Sequence, residues 1–288
     1  MGNTLQKTKK IMSQYQIKAN KRFGQNFLVD DDVLSNIVEG AEITDKDLVI
    51  EIGPGLGNLT EYLLKKAKYV LLVEIDHHMI DILHHRFLNF DNYQLLNADI
   101  LQINLDEYVR QIEQKLNFEF EHVKVVANLP YYITTPIIFK LLQEESRVEE
   151  IVVMVQKEVA DRMVAKSKSK DYGILTLMVE YLSVAKELLI VPNDSFIPAP
   201  NVTSAVICLK KEKRFTVSDE EILFELIHKS FANRRKKMLN SLQMNHFRNL
   251  DKIQLEEVFE SCKIDKMVRA EELDLSQYIN LVEKIKEL

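Results

Sequence analysis

Asn128-Leu129-Pro130-Tyr131 follows the β-like run Val123-Lys124-Val125-Val126-Ala127 and precedes a helix start. An amide, a backbone carbonyl and an aromatic ring at a strand end suit the capture of a planar base carrying an exocyclic amine. The Asn128 side-chain oxygen and the Leu129 carbonyl can accept from the amine N–H groups, and Pro130 brings no competing backbone donor. Such acceptors also stabilise positive charge growing on the nitrogen, an electrostatic effect oriented in advance. Tyr131 can stack on the base, as extruded bases are commonly held. The tetrapeptide alone also fits a simple turn, so its weight depends on what accompanies it.

Upstream, Glu51-Ile52-Gly53-Pro54-Gly55-Leu56-Gly57 again runs from a strand into a glycine loop. Gly53, Gly55 and Gly57 let the backbone turn sharply and approach a ligand with no Cβ in the way. A dinucleotide fingerprint needs its third glycine one place later, where Asn58 stands, which disfavours a pyrophosphate ligand and an NAD-dependent oxidoreductase. Glu74 ends the next strand, about 20 residues on, where a carboxylate can accept from both ribose hydroxyls. Asp99 follows the third strand and can accept from an adenine amino group. Acids at successive strand ends, where open α/β sheets bind ligands, indicate a nucleoside cofactor. A cofactor loop beside an amine-acceptor site points to methyl transfer from S-adenosylmethionine to an exocyclic amine.

The elements that must position these residues alternate regularly. Strands are expected at Leu48–Ile52, Tyr69–Ile75, Tyr93–Asn97, Val123–Asn128 and Glu150–Val155. Helices are expected at Asp30–Glu42, Leu59–Lys66, His78–Phe87, Leu105–Leu116 and Pro136–Gln143, the last with Thr135 as N-cap. This predicts an α/β fold with a mostly parallel sheet and helices on both faces. Helices at Lys157–Ala165 and Tyr172–Ser183 then lead to strands Glu187–Val191 and Val202–Leu209, read as an antiparallel hairpin closing the sheet edge. Between them, Phe196 sits in a loop stiffened by Pro198 and Pro200 and could offer a second face to the base. Lys210–Arg214 reads as a domain junction, and every segment beyond it looks helical. The expected organisation is a flexible basic arm over 1–20, the sheet domain over 21–210 and a helical domain over 211–288.

No apolar run approaches the roughly 18 residues of a membrane span. Cys208 and Cys262 lie in no metal-like cluster, so a cytoplasmic protein without a metal is expected. Net charge is −6, which argues against indiscriminate coating of nucleic acid. Yet six basic residues and no acidic one precede Phe23, Lys166, Lys168 and Lys170 alternate with serines, and Arg234-Arg235-Lys236-Lys237 forms a further cluster. Such segments can neutralise phosphates locally.

These residues closely resemble the small-subunit ribosomal RNA adenine-N6,N6-dimethyltransferases. The resemblance runs from about Lys18 to the C-terminus. It includes Lys21-Arg22-Phe23-Gly24-Gln25-Asn26-Phe27-Leu28, the Gly53–Gly57 loop, Glu74, Ala98-Asp99 and Asn128–Tyr131. It continues through Gln156–Ala160, Lys170–Gly173, the Phe196 loop, Phe231–Leu242 and Arg269–Glu271. It implies a class I S-adenosylmethionine-dependent methyltransferase, a Rossmann-like fold with a seven-stranded, mostly parallel sheet and a small all-helical C-terminal domain. It also implies cofactor contacts from Asn26, Leu28, Gly53, Glu74, Asp99 and Asn128, and base handling by Asn128–Tyr131 and Phe196. The implied substrate is a pair of adjacent adenines in the 3′-terminal hairpin loop of small-subunit rRNA, with the small ribosomal subunit as partner of a monomeric enzyme. Arg234 to Lys237 match the family's basic segment and are expected at the rRNA backbone. Lys157 stands where the family commonly has arginine. The rivals are a large-subunit rRNA adenine methyltransferase of the macrolide-resistance type and a catalytically weak ribosome-assembly factor.

Overall fold

The computed structural model describes residues 3–17, 25–233 and 235–288. Two compact units divide the chain, Met1–Ala160 with Ala185–Lys211, and Asp161–Val184 with Glu212–Leu288.

In the first unit the order is α1 (Asn3–Gln14), β1 (Phe27–Leu28), α2 (Asp31–Gly40), β2 (Leu48–Ile52), α3 (Asn58–Leu63), β3 (Tyr69–Glu74) and α4 (His77–Arg86). β4 (Tyr93–Asn97), α5 (Leu105–Leu116), β5 (Val123–Asn128), α6 (Thr134–Gln143), β6 (Glu150–Gln156) and α7 (Lys157–Met163) follow. After α8 (Ile174–Leu182) come β7 (Ser183–Val191), β8 (Phe196–Ile197) and β9 (Ser204–Lys211). The main sheet has seven strands in the order β4-β3-β2-β5-β6-β9-β7. The first five are parallel, and β9 runs antiparallel to β6 with Ser204 opposite Gln156. The expected seven-stranded, mostly parallel sheet is therefore present.

Successive strand residues point to opposite faces. Val49, Val70, Leu72, Val126, Val152 and Met154 meet α2, α3 and α4 in one apolar cluster, through Leu34, Ile37, Leu59, Leu63, Met79 and Leu83. The alternate residues Ile50, Leu71, Val125 and Val153 are also buried, so both faces of the parallel part are covered. The two expected strands are neighbours at the sheet edge, with a difference in order. β9 lies inside the sheet and β7, earlier in sequence, takes the edge. Burial explains it: β9 is apolar and buried over Ser204–Ile207, whereas β7 is half-exposed along most of its length.

Three expectations are corrected. The N-terminal stretch is not a loose arm over 3–14. It forms α1, whose Thr4 and Thr8 are buried; Thr4 donates to Asp31, and the Asn58 amide donates to Thr8 Oγ1 at 2.9 Å. Thr135 does not cap α6. The helix starts at Thr134 after Ile133, and Pro136 sits inside the first turn, where its missing N–H leaves no bond unmade. Residues 161–184 group with the C-terminal helices rather than with the sheet. α8 buries Leu175, Leu177, Met178, Val179, Tyr181 and Leu182, too many faces for a helix lying on a sheet's surface.

The second unit is helical: α8 packs with α9 (Glu220–Phe231) and α12 (Leu275–Ile285), and α10 (Met238–Met244) and α11 (Lys252–Ser261) complete it. Its core is aromatic. Phe231 stacks on Tyr278 at 6.5 Å, and the Tyr278 hydroxyl donates to the Ala270 carbonyl at 2.9 Å. Asp219, Asp251 and Asp274 cap α9, α11 and α12.

Gly57, the residue before α3, has φ +80°, and a Cβ there would lie 2.6 Å from Phe87 and 2.9 Å from Leu83. Gly57→Ala combines left-handed strain with overpacking and is expected to cost about 2–4 kcal/mol. Urea denaturation should show a lower midpoint than the wild type, and an unchanged midpoint would contradict this packing.

Candidate active site

The carboxyl ends of β2, β3 and β5 and the loop after β4 converge on one cleft of about 1040 Å³, counted to its open mouth. The expected residues Asn26, Leu28, Gly53, Gly55, Glu74, Asp99 and Asn128 to Tyr131 all line it. Gly57 does not; it stands behind the loop against Phe87, so its role is to start α3 rather than to face a ligand.

The loop's shape is enforced from the next strand. Gly53 and Gly55 have φ +66° and +55°, in the left-handed region that favours glycine. Gly53 N donates to the Val73 carbonyl at 2.9 Å. Gly55 N donates to Glu74 Oε2 at 3.0 Å, and Asp76 N donates to Oε1 at 2.9 Å. Glu74 is buried, yet an ionised carboxylate has about four acceptor positions, so the amides of Gly55, Asp76 and Ile75 still leave it acceptor capacity for a ligand hydroxyl. Burial raises its pKa, while the amides of Asp76 and Gly55 oppose the rise. Asp99 accepts from Leu101 N through Oδ1 at 3.0 Å, which turns the chain after β4 and fixes the carboxylate at the wall.

A second acid lies beneath. Glu51 is fully buried and accepts from Thr60 Oγ1 at 2.6 Å. Burial lifts its pKa from 4.5 to about 8, with the nearby Glu74 charge adding to the rise and Thr60 and Arg86 opposing it. Asn58 joins loop, strand and helix. Its Nδ2 donates to the Leu28 carbonyl at 2.8 Å and to Thr8, and its Oδ1 accepts from Arg86 at 3.0 Å. Arg86 also donates to the Leu56 carbonyl and to Glu61.

On the opposite wall, Asn128 Nδ2 donates to the Asn26 carbonyl at 3.2 Å. The side-chain oxygen is therefore the end of the amide that remains to accept from an incoming amine. The Pro130 carbonyl accepts from Ile133 N and Thr134 Oγ1 and closes the turn, so the preceding carbonyl, Leu129's, is not spent on it. Tyr131 is half-buried, and its hydroxyl shares a 2.6 Å hydrogen bond with Ser204 Oγ on β9. Burial raises the phenol's pKa, so it stays neutral.

Phe196 is a correction to the sequence reading. It is 3% exposed, pairs with Leu28 across the β1–β8 ladder and belongs to the apolar core; it does not line the cleft. A stacking face must be open, and this ring is covered. Arg234 and residues 18–24, including Lys21 to Gly24, lie outside the described residues. Arg235, Lys236 and Lys237 fall in the helical unit, before α10, with Arg235 and Lys236 exposed. Glu51, Asn58, Ser204 and Tyr132, which lines the cleft mouth with 59% exposure, escaped the sequence reading. Asn58 left one trace, as the residue that spoils the dinucleotide fingerprint. Ser204 left none, because its partner lies 73 residues away. Among the described residues no three His, Cys, Asp or Glu side chains gather to hold a metal ion.

This strand order, with acids at successive strand ends and an amide-carbonyl-aromatic turn on the fourth, defines a class I methyltransferase. Within that class the chain belongs to the ribosomal RNA adenine dimethylase family, whose model matches residues 16–286. A relative from Alkaliphilus oremlandii is 43% identical over 94% of this chain and 93% of its own length. One from Leuconostoc mesenteroides is 44% identical over 96% and 92%. Both carry the name ribosomal RNA small subunit methyltransferase A. Among solved structures, a dimethyladenosine transferase from Plasmodium falciparum superposes with TM-score 0.74 at 27% identity, covering 91% of this chain and 98% of that one. The 23S rRNA methyltransferase ErmE shares the fold, with TM-score 0.64 at 24% identity over 91% and 100%.

The Glu51 carboxyl yields a pH signature. Between about pH 4.5 and 8 it is protonated in the folded chain and ionised in the unfolded one, so unfolding releases a proton. The stability it contributes is complete below about 4.5 and is lost as pH rises through about 8. The wild type should therefore lose stability against Glu51→Gln across that window in paired denaturation curves. A constant difference from pH 5 to 8 would show that Glu51 is ionised.

Proposed function

We propose that this family member transfers methyl groups from S-adenosylmethionine to N6 of two adjacent adenines in the 3′-terminal hairpin loop of small-subunit rRNA. The observation that carries the reading is Asn128, held by Asn26 with its oxygen end left for an amine, beside the unspent Leu129 carbonyl and on the same cleft as Glu74. The cofactor fits the residues present. Glu74 has acceptor capacity for a ribose hydroxyl, Asp99 for an adenine amine, and Gly53 and Gly55 clear the loop for close approach. Asn26 and Leu28 line the same cleft. Bound there, S-adenosylmethionine supplies an electrophilic methyl group on a sulfonium.

The chain's own work is orientation and charge. The adenine N6 lone pair is delocalised into the ring, so the amine must be turned and its growing positive charge stabilised. In the first transfer the Asn128 oxygen and Leu129 carbonyl accept from its two N–H groups, and in the second from the one that remains; they do both as preorganised dipoles that need no reorganisation. Positioning supplies the other large part of the rate. Tyr131 presents a ring beside them, its hydroxyl fixed by Ser204. The chain's net charge of −6 opposes RNA binding overall, and the basic Arg235 to Lys237 segment of the helical unit is the proposed backbone contact, with Arg234 completing the cluster.

The decisive experiment is transfer of labelled methyl to undermethylated small subunits, with large subunits alongside. Dimethyladenosine in small-subunit rRNA is expected, and label in large-subunit rRNA alone would move the chain to the resistance methylases. Asn128→Ala should lower kcat by about 100-fold or more with the fold retained. Glu74→Ala should instead weaken cofactor binding by calorimetry, and equal affinity would remove it from the ribose. Neutralising Arg235, Lys236 and Lys237 should weaken subunit binding and flatten its dependence on salt; an unchanged salt series would take the segment out of the interface.

A further inference from the structure

The sequence offered two rings to hold a base, Tyr131 and Phe196, and the structure withdraws one of them. Among the described residues the cleft is lined by three aromatic side chains, Phe27, Tyr131 and Tyr132. Phe27 is 7% exposed and packs beneath Gly55. Tyr131 is half-buried and tied to β9. Tyr132, the next residue in the turn, is 59% exposed. Among the described residues, the exposed large hydrophobic side chains that line the cleft are Ile75 and Tyr132. Ile75 adjoins Glu74, on the side assigned to the ribose. Tyr132 adjoins Tyr131, on the side assigned to the base.

We propose that Tyr132 is the stacking platform for the nucleotide adjacent to the adenine held in the cleft, an inference that rests on the rRNA adenine reading above. A base drawn into the cleft leaves its neighbour without a stacking partner, which is part of the cost of extruding it. A ring at the mouth restores that contact. Tyr131 and Tyr132 are consecutive residues of one turn, so the nucleotide next to the one at Tyr131 lies within reach of Tyr132. Aromatic stacking of this kind tolerates any base but favours single strands. Tyr132 thereby selects a looped-out adenine that has an unpaired neighbour over one inside a duplex.

The test compares Tyr132→Ala, Tyr132→Phe and wild type on undermethylated small subunits, with an oligoadenylate hexamer as a separate binding probe by fluorescence anisotropy. Tyr132→Ala should lower kcat/KM for the subunit between about 5- and 150-fold, chiefly through KM. Hexamer affinity should fall in parallel, while S-adenosylmethionine affinity and melting temperature stay unchanged. Tyr132→Phe should stay within about threefold of wild type, because the ring and not the hydroxyl stacks. Unchanged hexamer affinity in Tyr132→Ala, failure of Phe to restore it, or a loss confined to cofactor affinity would each overturn the platform. If wild type methylates no subunit, the proposed substrate falls, and the hexamer measurement still decides the platform by itself.

Discussion

The cofactor side of the cleft depends on one buried amide. Asn58 holds Thr8 of α1, the Leu28 carbonyl of β1 and the guanidinium of Arg86, and Arg86 holds the Leu56 carbonyl of the glycine loop. Four segments distant in sequence are thus referenced to a single side chain that is 6% exposed. In a site of low dielectric, an unmet donor or acceptor costs more than the bond it replaces gains. The network is consequently held as a unit. Glu74 then fixes the loop from the other side through Gly55, so the backbone that must approach a ligand is clamped at both ends.

Much of this architecture was legible in the residues. The strands Leu48–Ile52, Tyr93–Asn97 and Val123–Asn128 and the helix Leu105–Leu116 appear with the expected bounds. Local signals are strong there. Asn104 caps the helix and Asn117 ends it in the left-handed conformation. The cleft residues were legible for a related reason, since a parallel sheet gathers its strand ends whatever the details of packing.

What was not legible is tertiary. α1 looks like a charged tail because its most buried contacts are made by Thr4 and Thr8, with Lys7 paired to Glu61, while its apolar Ile11 and Met12 are only partly buried against the core. The strands β1 and β8 are two residues long and have no period to detect. Phe196 was expected near the base from its place in the hairpin at the sheet's end and from the family resemblance, but the pairing with Leu28 puts its ring in the core. The membership of 161–184 in the helical unit follows from how many faces of α8 are apolar, and a contiguous division of the chain cannot express it.

The β1–β8 ladder also sets an order of assembly. Val29 N donates to the Ser195 carbonyl, and Ser195 Oγ donates to Asp30, 165 residues earlier in the chain. Tyr131 likewise waits for Ser204. During synthesis, which proceeds from the N-terminus, the glycine loop, Glu74 and Asp99 have all emerged long before either partner exists. A nascent chain ending before Ser195 therefore has the means to bend the cofactor loop but lacks the pieces that close β1 and anchor the base-side tyrosine. The site is complete only once the stretches that follow β7 are in place.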